Sequence, residues 1–234
     1  MFLISAIQQV FRKLFSQNIR KNTDRKLFIN ILLIFIIVLS FSCKSTPKNT
    51  EQPEDEIISE PKIEIQLSRK LLDKGQLTAN QLADYFLSQR PDYDMIEIIH
   101  FAQIYIVEAA AENINSDVAF AQMCLETGYL RFGGLVQPDF HNYCGLGAMD
   151  AEHPGCIFED EQTGIRAHIQ HLQAYATTED VELNNDLVDP RYSWVHKTKF
   201  IEDIEGLTGT WATDPNYAVK IDGILTRMEE MVNK

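Results

Sequence analysis

One long apolar run, Leu27 to Phe41 (LFINILLIFIIVLSF), divides the chain into two very different parts. The run follows a basic segment and precedes Ser42 and Cys43, which is the layout of a bacterial lipoprotein signal. An uncleaved membrane anchor is the alternative, although the run is short for a complete span of about 20 residues. We therefore expect residues 1–43 to be a lipoprotein signal or anchor, lipidated at Cys43. The folded part would then lie in the cell envelope, on the periplasmic or cell-surface side of a membrane.

The chain beyond Cys43 is strongly acidic, with 15 basic and 33 acidic residues. Binding to nucleic acid needs clustered Lys and Arg that neutralise phosphates, so this charge argues against nucleic acid as a partner. An uncharged sugar polymer or a peptide is compatible with the charge. Residues 44–61 are rich in Pro, Thr and acids and contain few apolar residues, which predicts a flexible linker.

Residues 62–234 have the periodicity of a mainly helical α+β domain. Five helices are predicted from apolar spacing and from capping and stop signals. Their approximate bounds are 78–89, 93–112, 116–127, 163–175 and 216–232. The third helix follows an apolar spacing and stops at Gly128, so we predict that Glu126 lies in its last turn.

The helical pattern breaks between Asn142 and Phe158 (NYCGLGAMDAEHPGCIF), where glycines and a proline flank short apolar stretches. This composition predicts a small β-hairpin that turns near His153 to Gly155. Cys144 and Cys156 would face each other across the hairpin. In an oxidising compartment we expect them to form a disulfide, and the alternative is two unpaired small core residues.

Glu126 is the candidate catalytic acid. A carboxyl group that donates a proton near neutral pH must have a raised pKa. The C-terminal end of a helix carries partial negative charge, and apolar surroundings disfavour a carboxylate, so both features raise the pKa of Glu126. The position alone does not decide the role, because most acids at helix ends are solvated surface groups.

Five ordered motifs give Glu126 its context. They are DVAFAQMCLETGYLRFGG, HNYCGLGA, GIRAHIQHLQAYA, VDPRY and WATDPNYA, and they lie between about Phe101 and Leu225. In order and spacing they resemble the glucosaminidase domains of family-73 glycoside hydrolases, which cleave peptidoglycan on the reducing side of N-acetylglucosamine. In that family the Glu of the first motif is the general acid, and it corresponds to Glu126. The resemblance implies a lysozyme-like fold with a helical lobe, a small β-hairpin lobe and a groove between them.

The resemblance also implies roles for residues around the groove. Asn142 and Tyr143 match the asparagine–aromatic pair that lines the groove in the family, and we expect them to bind substrate. Tyr217 matches a tyrosine that the family needs near the acid, while the residues alone also allow a buried aromatic at a helix start. Trp211 could stack on a sugar ring or could simply be buried.

The second carboxylate is less well defined by the sequence. Many family members place a Glu in the hairpin, where it would activate water. Glu152 is our preferred candidate because it lies at the predicted hairpin tip. Other acids nearby are Asp150, Glu159, Asp160 and Glu161. The acetamido group of the substrate could also replace this carboxylate, because its carbonyl can attack the anomeric carbon.

The expected protein is a monomeric endo-β-N-acetylglucosaminidase that acts on peptidoglycan glycan strands from a membrane tether. We expect no cofactor and no metal, because the cysteines form no CxxC and the AHIQHL segment with His168 and His171 is structural in the family. Two alternatives stay open. The first is a lytic transglycosylase, and the second is a non-catalytic envelope lipoprotein that binds peptidoglycan.

Overall fold

The computed structural model describes residues 64–234. Its six helices are α1 (Ala79–Gln89), α2 (Met95–Ala111), α3 (Ser116–Thr127), α4 (Glu161–Ala176), α5 (Tyr192–Val195) and α6 (Tyr217–Val232). Strands β1 (Ala148–Asp150) and β2 (His153–Pro154) form an antiparallel sheet, and short 3-10 helices span Pro138–Phe140 and Ile204–Leu207. Within the described range, no helix is both long and apolar enough to cross a bilayer. The predicted signal at 1–43, its lipidation site Cys43 and the linker at 44–61 lie outside the described residues.

Polar side chains fix where the first helices begin. The Thr78 hydroxyl accepts a hydrogen bond from the Gln81 backbone, and the Gln81 side chain accepts one from the Thr78 backbone at 2.9 Å, so the predicted capping box is present. At α3 the Asn115 side chain accepts hydrogen bonds from the backbone N–H groups of Asp117 and Val118. That helix ends at Gly128, whose φ of 58° lies in the left-handed region that favours glycine. The predicted position of Glu126 in the last turn of α3 is confirmed.

Helix α3 is the centre of the core, and most of its residues are buried. Helices α1, α2, α4 and α6 all contact it, which explains why its apolar residues are not restricted to one stripe. Aromatic side chains fill the space between these helices: the ring of Tyr105 on α2 packs edge-on against Phe120 of α3 at 5.7 Å. Burying each large apolar side chain contributes about 1.5–3 kcal/mol. Because Phe120 is part of this packing, the buried core extends along α3 to within two turns of Glu126.

The hairpin forms a separate small lobe beside this core. Ala148 lies opposite Pro154 and Asp150 opposite His153, with an irregularity in register between the two pairs. A second buried cluster packs the lobe onto α4. It consists of Cys144, Leu146, Phe158 and Ala167. The predicted mainly helical α+β architecture, with a helical lobe and a small hairpin lobe, is confirmed.

The predicted disulfide is absent from the structure, where Cys144 and Cys156 are both free thiols. The register explains the difference. The backbone N–H of Cys156 donates to the carbonyl oxygen of Leu146 at 2.8 Å, so Leu146 and not Cys144 lies opposite Cys156. Cys144 instead packs into the buried cluster of the lobe. Burial raises the pKa of both thiols, which keeps them protonated.

Candidate active site

Glu126 projects from the last turn of α3 into the space between the two lobes. Its side chain is exposed to solvent and lines a cavity of about 220 Å³. Phe132, Leu135, Val136, Asn142 and Ala148 are among the other lining residues. The carboxyl group is thus accessible from outside, as a group that protonates a bound polysaccharide must be.

The surroundings of Glu126 favour its protonated form. The walls of the cavity keep water from part of the carboxyl group, and this desolvation raises the pKa of Glu126 above its ordinary value. Two hydrogen bonds act in the opposite direction. The Tyr217 hydroxyl and the Trp211 indole N–H both donate to Oε1 of Glu126, the latter at 3.1 Å. Desolvation is the larger effect, so the direction is the one that acid catalysis requires.

Tyr217 is both a buried aromatic and a neighbour of the acid. It is the first residue of α6 and only 4% exposed. Its hydroxyl lies between the side-chain amide of Gln122, which donates to it at 2.8 Å, and the carboxyl of Glu126. Burial and the nearby Glu126 raise the pKa of Tyr217, so the hydroxyl keeps its hydrogen. Tyr217 is therefore both of the things that the sequence allowed, a buried aromatic at a helix start and a close neighbour of Glu126.

Trp211 forms the wall next to the acid. Its ring packs against His171 at 5.0 Å and against Tyr175 at 5.4 Å, and it is half-buried. The indole N–H points to Glu126. Part of the Trp211 ring is therefore covered by aromatic side chains of the protein, and its N–H edge contacts the Glu126 carboxyl group directly.

Residues 102–230, more than half of the chain, match the family model for glucosaminidases, described as mannosyl-glycoprotein endo-beta-N-acetylglucosaminidase. The chain belongs to the glucosaminidase family. An uncharacterized protein of Borreliella burgdorferi is 39% identical to it over 163 residues, which is 70% of this chain and 78% of that protein. No solved structure matches the chain.

In this glucosaminidase, Asn142 organises the hairpin lobe. Its side-chain N–H groups donate to the carbonyl oxygens of Leu146 and Cys156 at 2.9 and 3.1 Å, and its Oδ1 accepts from the Leu146 backbone at 2.9 Å. Asn142 lines the cavity but is only 1% exposed. Tyr143, expected to line the groove beside it, is buried in the core instead, with its ring 4.9 Å from that of Phe101. The Tyr143 side chain therefore points into the helical core and not into the cavity.

The hairpin tip carries two candidate carboxylates in different settings. Glu152 is exposed at the tip, as predicted. Asp150 is held in place: its Oδ1 accepts from the backbone of Glu152 and of His153 at 2.9 Å, and it lies 3.0 Å from Nδ1 of His153. These bonds, the one from the His153 ring first, lower the pKa of Asp150. Asp150 is therefore held ionised and in a fixed orientation.

Three buried polar residues behind Tyr217 were not predicted as part of the site. They are Gln122 on α3, His168 on α4 and Tyr105 on α2, and all three are fully buried. A sequence signal existed for Gln122, because it lies four positions before Glu126 and so on the same face of α3. His168 and Tyr105 carry no such local signal, because only the packing of α2 and α4 onto α3 brings them close.

Proposed function

We propose that this glucosaminidase hydrolyses the glycan strands of peptidoglycan at N-acetylglucosamine, with Glu126 as the general acid. One observation carries the proposal. A carboxyl group whose pKa is raised by desolvation is open to the cavity between the lobes and accepts hydrogen bonds from Tyr217 and Trp211. An acid of this kind is what protonation of a glycosidic oxygen needs.

The reaction would begin with transfer of the Glu126 proton to the glycosidic oxygen as the bond between that oxygen and C1 of N-acetylglucosamine breaks. The other sugar leaves as an alcohol. Water then forms a new bond to C1 and gives its proton to a carboxylate. Glu126 is left ionised, and the hydrogen bonds from Tyr217 and Trp211 stabilise its negative charge at this stage.

For the second carboxylate we propose Glu152, as the sequence suggested, and keep Asp150 as the competing candidate. Asp150 has support of its own, because its hydrogen bonds with His153 orient it and keep it ionised. Comparison of Glu152→Gln with Asp150→Asn decides between them. Substitution of the true base should lower kcat about 100-fold or more, whereas substitution of the other carboxylate should lower it only a little. Equal and small losses in both variants would indicate that the substrate acetamido group assists the reaction.

The deciding experiment digests purified peptidoglycan with the full chain and with Glu126→Gln, followed by mass spectrometry of the products. We expect free reducing N-acetylglucosamine ends and a loss of at least about 100-fold in Glu126→Gln. Glu230→Gln, an exposed carboxylate on α6, is the matched control and retains activity. Dominant 1,6-anhydro-muramic products would indicate a lytic transglycosylase. Absence of activity in both wild type and Glu126→Gln would support the non-catalytic glycan-binding alternative, and equal activity in both would show that Glu126 is not the general acid.

We further propose that the chain acts in the cell envelope as a monomer tethered through its N-terminal segment. The support is the sequence pattern around Cys43. In the producing cell, Cys43→Ala should abolish incorporation of a labelled fatty acid and move the protein out of the membrane fraction. If the Cys43→Ala protein stays in the membrane fraction although it carries no labelled fatty acid, the N-terminal segment is an uncleaved anchor instead.

A further inference from the structure

A chain of hydrogen bonds leads from the interior of the helical lobe to the acid. The Tyr105 hydroxyl lies 2.9 Å from Nδ1 of His168, and Nε2 of His168 lies 3.0 Å from Oε1 of Gln122. Nε2 of Gln122 is 2.8 Å from the Tyr217 hydroxyl, which contacts Oε1 of Glu126. The four residues behind Glu126 come from four different helices and are at most 4% exposed. Water therefore does not compete for these bonds.

The chemistry of the groups allows only two directions of donation along this chain. Burial, with a smaller contribution from His171, lowers the pKa of His168 to about 3, so its ring is neutral and carries one N–H. If Gln122 donates to Tyr217, its oxygen accepts from Nε2 of His168, and Tyr105 donates to Nδ1. If the amide of Gln122 is reversed, every bond reverses, and the single hydrogen of the Tyr217 hydroxyl points to Gln122.

The neighbours of Glu126 select the first direction. Once Glu126 has given up its proton, the ionised carboxylate only accepts hydrogen bonds, so in the reversed chain the Tyr217 oxygen and Oε1 would then face each other without a hydrogen, whereas the first direction suits both the protonated and the ionised carboxyl group. In the first direction Tyr217 donates to Oε1, and Trp211 adds a second donor to the same atom. The Cys144 thiol also faces Glu126, and burial keeps it neutral. All the donors on this side thus converge on Oε1.

Oε1 is therefore a poor site for the acid proton, which leaves Oε2. That atom faces the hairpin lobe, since a methyl group added to Gly145 would lie 3.9 Å from it. Gly145 and Glu126 line the same cavity. The oxygen that is free to hold the proton is accordingly the one that faces the open space.

We propose that Gln122 and His168 are positioning residues, which fix the direction of this chain so that the catalytic proton of Glu126 is on Oε2 and faces the substrate. The proposal rests on the proposed function of Glu126. Gln122 acts through Tyr217, and His168 acts by holding the Gln122 amide in one orientation. Neither residue touches the substrate.

The first test needs neither a variant nor activity. In wild-type protein with ¹⁵N-labelled histidine, NMR reports which ring nitrogen of His168 carries hydrogen. We expect the Nε2–H tautomer, with no protonation of the ring down to about pH 5, as its lowered pKa requires. The solvent-exposed ring of His153 gives a reference signal in the same spectra. An Nδ1–H tautomer of His168 would overturn the proposal.

The second test changes the direction of the chain. Once its carboxyl group is ionised, Gln122→Glu offers Tyr217 an acceptor in place of a donor, so the Tyr217 hydroxyl turns away from Glu126. We expect kcat to fall by about 10-fold or more and the basic limb of the kcat/KM profile to move to higher pH, because Glu126 loses a bond that lowers its pKa. Gln122→Met keeps the shape but neither donates to nor accepts from Tyr217, so we expect its kcat to fall by less than that of Gln122→Glu. Equal losses of kcat in the two variants would show that the direction of the bond to Tyr217 does not matter, which would overturn the proposal.

A double-mutant cycle separates a positioning role from a structural one. In Tyr217→Phe the hydrogen of the hydroxyl is already gone, so adding Gln122→Glu should shift the basic limb by less than it does in the wild-type background, since only the added negative charge can still act on Glu126. Additive shifts would overturn the proposal. If Gln122→Glu does not fold, the His168 tautomer decides alone. Full activity in Glu126→Gln would instead remove the proposed function and leave the tautomer result intact, so the two failures are distinguishable.

Discussion

On the helical side of the cavity, Glu126 contacts Tyr217 and Trp211, which are held in turn by buried side chains from several helices. On the hairpin side, the amide of Asn142 organises the backbone, and the tip is open, with Met149 65% exposed. The acid is therefore preorganised by the core, whereas the wall that faces it depends on local backbone bonds. The pKa and the orientation of Glu126 belong to the stable half of the molecule.

The joint between the two walls should be the most sensitive position. A β-carbon on Gly164, in the first turn of α4, would lie 1.7 Å from the carbonyl oxygen of His141, directly before Asn142. Backbone would have to move to relieve this clash. Gly164→Ala should therefore lower the free energy of unfolding by at least about 3 kcal/mol, measured by urea denaturation followed by circular dichroism.

Gly223→Ala on α6 is the matched control for this substitution. The nearest atom to its β-carbon is the end of the Arg227 side chain, at 3.5 Å. Because alanine is the better helix former, Gly223→Ala should stabilise the protein by up to about 1 kcal/mol. Equal unfolding curves for the two variants would show that the walls are not tightly joined at Gly164.

Asn142→Ala should break the hairpin wall and leave the helical wall intact. It removes the amide that bonds to Leu146 and Cys156 and leaves buried backbone groups unsatisfied. We expect a loss of roughly 2–3 kcal/mol in the free energy of unfolding. Hydrogen exchange should accelerate in residues 142–158 more than in α3. The exposed Gln137, with one side-chain bond to Gly134, provides the control Gln137→Ala, which should cost less than about 0.5 kcal/mol. Uniform acceleration across both lobes would contradict the separation.

The same division describes what the sequence could and could not predict. The position of Glu126 in the last turn of α3 was predicted correctly because helical spacing and the Gly128 stop are local signals. The contact between Gln122 and Tyr217 joins residues 95 positions apart, and no local pattern encodes it. In the hairpin, register depends on one irregularity between short strands. This dependence explains why the disulfide was predicted with the wrong partner opposite Cys156.

Glu126 should limit the stability of the wall that contains it. The pKa of Glu126 is raised in the folded state, so the folded protein binds this proton more tightly than the unfolded chain does. The contribution of Glu126 to stability therefore falls as pH rises from its unfolded pKa through its folded pKa. Glu126→Gln should raise the free energy of unfolding at pH 7 by less than about 1 kcal/mol, because solvent in the cavity screens the charge, and its melting temperature should rise slightly. This gain should vanish below about pH 4, and a gain that does not depend on pH would contradict the cause.

The smallest effect expected is a chemical one on the hairpin side, with no change in stability. If register holds Cys156 opposite Leu146, Cys144 and Cys156 stay unbridged even after purification without a reductant. Thiolate is the reactive form, and burial raises the pKa of all three described cysteines, so alkylation should be slow throughout. Cys156 is only half-buried, whereas Cys124 and Cys144 are buried, so Cys156 should react first. Peptide mapping after iodoacetamide treatment measures the order. If Cys144 and Cys156 label only after reduction, they form a disulfide, which requires a second strand register in the hairpin lobe. The hairpin wall would then be able to rearrange its strands, whereas the helical wall keeps one arrangement.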